Sequence, residues 1–86
     1  MHLKNYMEEV VYGMMDTVLK EVKHCPCEKC LRDIAALALN DLPPRYIVTE
    51  AGQMYQKTQL LRQQYEVDAM AAIIKAAVIV NRSPRH

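Results

Sequence analysis

Residues 24–30 read His-Cys-Pro-Cys-Glu-Lys-Cys and hold all three cysteines of the chain, at positions 25, 27 and 30. A C-x-x-C turn presents two sulfurs to one ion, and tetrahedral zinc sites use that spacing repeatedly. Pro26 stiffens the shorter C-x-C arm between Cys25 and Cys27. A disulfide reading leaves one sulfur over. The cluster is therefore read as a zinc site, with a redox dithiol and purely structural cysteines as the competing readings.

Three thiolates do not close a tetrahedral shell. The candidates for a fourth ligand are His24, His86, His2 and water. His24 adjoins Cys25, and adjacent residues seldom converge on one ion. His86 follows the last helix, which doubles back toward the knuckle if three helices pack as a bundle, so it is the favoured ligand. An exogenous or partner-derived group comes next. A structural ion is expected rather than a catalytic one, because thiolates neutralise the metal's charge and weaken its Lewis acidity.

A second constellation lies at Asn40–Tyr46, where Pro43 and Pro44 set an irregular backbone between a helix and an extended segment. Arg45 on such a mount can grip phosphate or a guanine edge, and Tyr46 can stack on a base. Lys57 adds charge if the chain after Gly52 folds back. The plainer reading is a helix stop, with Asn40 capping carbonyls and Tyr46 plugging the core. Both readings stand at this point.

Helical patterning supplies the elements that position these groups. Asn5 with Glu8 three residues on resembles a capping box. Met7, Val10, Val11, Met14, Met15, Val18, Leu19 and Val22 then form an apolar stripe, and the spacing predicts a helix ending near Lys23. Residues 30–40 predict a second helix with little polar face, expected to be the buried centre of the domain. Arg45–Thr49 is β-prone and predicts one short extended segment. From Gln56 to Val80 the chain lacks Gly and Pro, and predicts a third helix of about 25 residues, roughly 37 Å long. Its apolar side comprises Leu60, Leu61, Tyr65, Ala69, Met70, Ala72, Ile73, Ala76, Ala77 and Val80. That length and the two apolar faces exceed what one small globule covers, so a homodimer is expected.

The bulk numbers agree with one domain spanning 1–86, near the size at which a single core needs a staple. Aromatics are limited to five tyrosines, and six methionines fill gaps while specifying geometry poorly. A net charge of +1 argues against direct nucleic-acid binding, although residues 44–86 carry six Lys/Arg against three Asp/Glu. The longest apolar run, 69–80, is interrupted by Lys75 and is too short to span a bilayer. The N-terminus lacks an apolar signal region, so a cytoplasmic location is expected. No Ser/His/Asp set, phosphate-binding Gly loop or His-Glu-x-x-His motif is present, and an enzyme is not expected.

The run CPCEKCLRDIAALALNDLPPRYIVTEAGQMYQK, with the later Ser83-Pro84-Arg85, resembles the ComFB family of late competence development proteins. The most specific part is Ala-Leu-Asn-x-Leu-Pro-Pro-x-Tyr beside the cysteine knuckle. The resemblance covers essentially the whole chain. It implies a small helical homodimer with bound zinc, associated with bacterial DNA uptake, whose partner is an unknown competence or signalling protein. Relatives carry a further cysteine just after the Ser-Pro-Arg stretch, where this chain has His86. Other members, many without the cysteines, resemble receptors for cyclic dinucleotides such as c-di-GMP or c-di-AMP. That is the alternative function, with Asn40, Arg45 and Tyr46 as ligand residues. The expected fold is all-α, with three main helices, one extended segment and a zinc staple.

Overall fold

Helix α1 (Tyr6–Leu19) begins where the Asn5 side chain accepts the backbone N–H of Met7 at 3.2 Å, satisfying one of the donors that a helix start leaves open. The computed structural model describes residues 3–48 and 55–82, with side chains described for 4–46 and 62–82. Its elements run β1 (Leu3–Asn5), α1, α2 (Glu28–Asp41), β2 (Tyr46–Val48) and α3 (Tyr55–Arg82). Three helices are present as expected, in a mostly helical small protein. Among the described residues no helix is long and apolar enough to cross a membrane.

Three details differ from the sequence reading. Helix α1 stops at Leu19 rather than near Lys23, so no basic residue lies in its last turn. The backbone N–H groups of Glu21 and Val22 donate to Val18 and Leu19 carbonyls, three residues back, and this tightens the chain into a turn. Val22, Cys25 and Cys27 then pack on the core, a tertiary gain that outweighs continuing the helix. The extended segment is also not alone. β2 pairs antiparallel with β1 in the register Leu3↔Val48, Lys4↔Ile47 and Asn5↔Tyr46.

The third difference concerns which helix is central. α2 buries only Cys30, Ile34, Ala35 and Ala38, while Leu37 is exposed and Leu31 and Leu39 are half-buried. α3 instead lies against both other helices, and its 28 residues, about 42 Å long, match the longest dimension of the molecule, 42 Å. Alanines 69, 72, 76 and 77 are buried along it, small enough for α1 and α2 to approach closely. The largest fully buried side chains are Val11 of α1, Cys30 and Ile34 of α2, and Ile73 of α3. Of the residues assigned to the apolar side of α3, Met70 faces outward. Leu60 and Leu61 have side chains outside the described residues.

Helix α2 ends for a local reason. Pro43 bars the helical conformation from the residue before it, and Leu42 is extended (φ −108°, ψ 138°). The chain leaves Asp41 through Pro43 and Pro44 into β2, and the Tyr6 N–H donates to the Arg45 carbonyl at 2.6 Å.

Candidate metal centre

Cys27 is the N-cap of α2. Its backbone is extended, and its Sγ accepts the backbone N–H of Cys30 at 3.4 Å, the place a serine or aspartate oxygen usually fills. The Cys27 carbonyl accepts the Leu31 N–H at 3.0 Å. Cys30, in the first turn of α2, is only 1% exposed and belongs to the central core. Cys25 arrives from the turn after α1 and is half-buried, as is Cys27. One thiol is thus held by the core, one by a helix start and one by an interhelical turn.

The three sulfurs lie within 4.8 Å of one another. Zinc–thiolate bonds of about 2.3 Å place sulfurs roughly 3.8 Å apart in a tetrahedron, so closing the knuckle on an ion takes side-chain adjustment only. Burial pushes the Cys30 thiol from about 9.0 up to about 12, and hydrogen bonding and charge from Cys27 and Cys25 push the same way. Three thiolates at this spacing repel one another, and a dication is the counter-charge that removes the penalty. The donor set, all sulfur and partly withdrawn from water, fits zinc.

His24 is half-buried, and its Nδ1–H donates to the Val22 carbonyl at 2.8 Å, which braces the turn carrying Cys25. Among the described residues, no fourth His, Cys or carboxylate joins the three sulfurs. His86 and His2 lie outside the described residues. The position of Cys27 as helix cap is the feature that spacing did not reveal. Its signal was Glu28, an acidic residue suited to a first helical turn, directly after it.

The residues of the second constellation are spread out. Asn40 lines a groove between α2 and α3 with Asp41, Lys75 and Ile79, about 230 Å³ in volume. The Arg45 guanidinium instead lies over the Tyr65 ring, 5.6 Å from its centroid, and Tyr65 meets Tyr6 edge to face at 5.9 Å. Tyr65 and Lys75 are ten residues apart on α3, roughly 15 Å along its axis. The Arg45 N–H donates to Asn5 Oδ1 at 2.9 Å, so one side chain both caps α1 and ties down the loop. Tyr46 is 63% exposed and does not plug the core. The side chain of Lys57 lies outside the described residues. Asn5 was legible as a helix cap and Tyr65 as part of the third helix, but neither as a partner of Arg45, because these are long-range contacts.

These features define a class: a three-helix protein whose cysteine knuckle starts the second helix and is rooted where all three helices meet. The sequence matches the family described as late competence development protein ComFB over residues 4–84. It is 28% identical over 83 residues to the competence protein ComFB of Bacillus subtilis (strain 168), spanning 95% of this chain and 85% of that protein. A structural characterization of the late competence protein ComFB from Bacillus subtilis gives a similar fold. Its TM-score is 0.77 at 27% identity, over 96% of this chain and 94% of that one. The chain belongs to the ComFB family.

Proposed function

We propose that the protein is a non-enzymatic, zinc-binding homodimer that serves late competence functions as a regulatory or scaffold module. The observation that carries the metal half of this reading is the meeting of three sulfurs at the junction of the helices. An ion held there ties the turn after α1 to the start of α2 and to the core. That is a structural rather than a catalytic use. His86 is the favoured fourth ligand, with a partner-derived group next.

The dimer half rests on an inversion along α3. That helix buries four alanines with Ile73 and Val80, while Val67, Met70, Ile74 and Val78 stay 39–59% exposed. These four recur at three- and four-residue intervals, so they form one outward stripe. Burying alanine while exposing larger aliphatic side chains wastes apolar area unless a second surface covers the stripe. The same stripe on a second copy is self-complementary about a two-fold axis.

The test is metal analysis with thermal melting and sedimentation of the purified protein. About one zinc per chain, lost with most of the thermal stability in Cys27→Ser, and twice the chain mass are expected. Metal-free protein that melts unchanged would overturn the structural role of zinc, and a soluble monomer at micromolar concentration would overturn the dimer.

A second reading, a cyclic-dinucleotide receptor, has one observation in favour: Arg45 and Tyr46 are consecutive exposed residues, and the Arg45 guanidinium lies over the Tyr65 ring. Asn40 sits in a different groove and does not contribute to that surface. Calorimetry with c-di-GMP and c-di-AMP decides it. Binding lost at least tenfold in Arg45→Ala supports the receptor; no heat at millimolar nucleotide leaves Arg45 as a structural tie.

A further inference from the structure

We infer that Cys27 and Cys30 are an oxidisable dithiol, a modification site whose disulfide form excludes the metal. The inference rests on the arrangement of the two cysteines at the start of α2, and it stands whether or not zinc is the resident ion. Cys27 occupies the N-cap and Cys30 the third helical position, and the Cys27 sulfur already lies over the Cys30 N–H at 3.4 Å. Residues so placed at a helix start have Cα atoms about 5–6 Å apart, inside the range a disulfide spans. The sulfurs, within 4.8 Å, approach to about 2.05 Å by side-chain rotation.

Burial orders the steps. Cys30 is 1% exposed and cannot meet an oxidant from solution first, whereas Cys27 is half-buried with its sulfur at the open end of the helix. Cys25 is half-buried too, but Cys27 is the one whose Sγ already lies against the Cys30 backbone, so a hydroperoxide ROOH reacts productively at Cys27. Its sulfur takes one oxygen from the O–O bond to become the sulfenic acid, Cys27–SOH, and the peroxide leaves as ROH. The Cys30 thiol then attacks that sulfur and displaces its hydroxyl, which departs as water with the thiol proton. Two thiols and ROOH become one disulfide, ROH and H₂O; the sulfur pair loses two electrons and the peroxide gains them. Cys25 is the disfavoured partner, because the proline between it and Cys27 stiffens the two-residue arm.

The disulfide removes two of the three sulfur donors together. Metal and disulfide are therefore alternative states of the same knuckle, and oxidation reports directly as metal loss. Because the crosslink joins residues three apart at one helix start, it adds no long-range staple in exchange.

The experiment is peroxide titration of the purified full chain, as isolated and after chelation, with metal analysis beforehand and peptide mapping by mass spectrometry afterwards. Loss of two thiols per chain, a Cys27–Cys30 disulfide, Cys25 still alkylated, and full reversal by dithiothreitol are expected. Metal-loaded protein should react at least tenfold more slowly than chelated protein. In Cys30→Ser the sulfenic acid at Cys27 should persist and be trapped by dimedone. A disulfide from Cys25, only intermolecular crosslinks, or no faster thiol loss than free glutathione would overturn the inference. If no metal is found yet the disulfide forms, the zinc reading fails and the dithiol stands. If metal is found but the chelated thiols are inert, the dithiol fails and the zinc reading stands.

Discussion

Replacing Asn5 with alanine tests how the molecule is tied together, because one side-chain oxygen holds two distant pieces of backbone. Oδ1 accepts the Met7 N–H at 3.2 Å, capping α1, and the Arg45 N–H at 2.9 Å, anchoring the loop before β2. Loss of an N-cap acceptor costs about 1 kcal/mol. Loss of the second bond costs roughly 0.5–1 kcal/mol, near the low end for a hydrogen bond, since Arg45 is exposed and water can reach its N–H. The sum is about 1.5–2 kcal/mol. In a domain of this size each kcal/mol moves the melting temperature by about 4–8 °C, so Asn5→Ala should melt on the order of 10 °C lower. Asn5→Asp keeps both acceptor sites and adds negative charge at a helix start, and should melt within about 3 °C of the parent. Hydrogen exchange should speed at both Met7 and Arg45 in the alanine variant alone. An alanine variant melting within 3 °C of the parent, or an aspartate variant falling as far as alanine, would refute this account.

Adjacent isoleucines on α3 should behave oppositely. Ile73→Glu puts an unpaired charge at a fully buried site and should leave the chain unfolded, whereas Ile74→Glu, 39% exposed, should stay folded by circular dichroism and sediment as monomer. Gly13 sits in the interior of α1 and an added Cβ meets nothing within 4 Å, so Gly13→Ala should gain about 0.5–1 kcal/mol in denaturant melts. The knuckle should show opposite pH dependences with and without metal. In the metal-free chain the folded state holds the Cys30 proton more tightly than the unfolded chain does. That contribution is therefore whole below about pH 9 and declines as pH rises toward 12 in chemical melts. Metal-loaded protein should instead release its ion on acidification, because protons compete for the sulfurs; retention followed by a zinc dye checks this.

Much of the fold was legible because local rules and tertiary packing agree there. Asn5 starts α1, Pro43 ends α2, and the Gly- and Pro-free stretch after residue 55 is one helix. The misread parts are those where distant residues decide. α1 had no sequence stop at Leu19, and it ends there because the next residues pack on a core built from other helices. β1 carried no strand signal, since three residues become a strand only when β2 lies beside them. Nothing in the pattern of α2 distinguished a buried centre from a flank, because Leu37 and Ile34 are equally apolar and only their neighbours differ.

By itself the sequence determined the helices and a three-cysteine knuckle whose sulfurs could hold a metal ion, since these follow from residue type at short spacing. It also marked one apolar side of α3, and the described members of that side from Ala69 to Val80 are buried apart from Met70. The tertiary structure decided that Met70 faces outward with Ile74 and Val78 rather than inward with the alanines. It decided that Arg45 lies on Tyr65 while Asn40 faces another groove. It also made Cys27 a helix cap with Cys30 sunk in the core. The division has one physical cause. Periodicity and spacing act through the local backbone, over a turn or two of helix. Which face is buried, and which side chains meet, depends on how three helices divide a shared core.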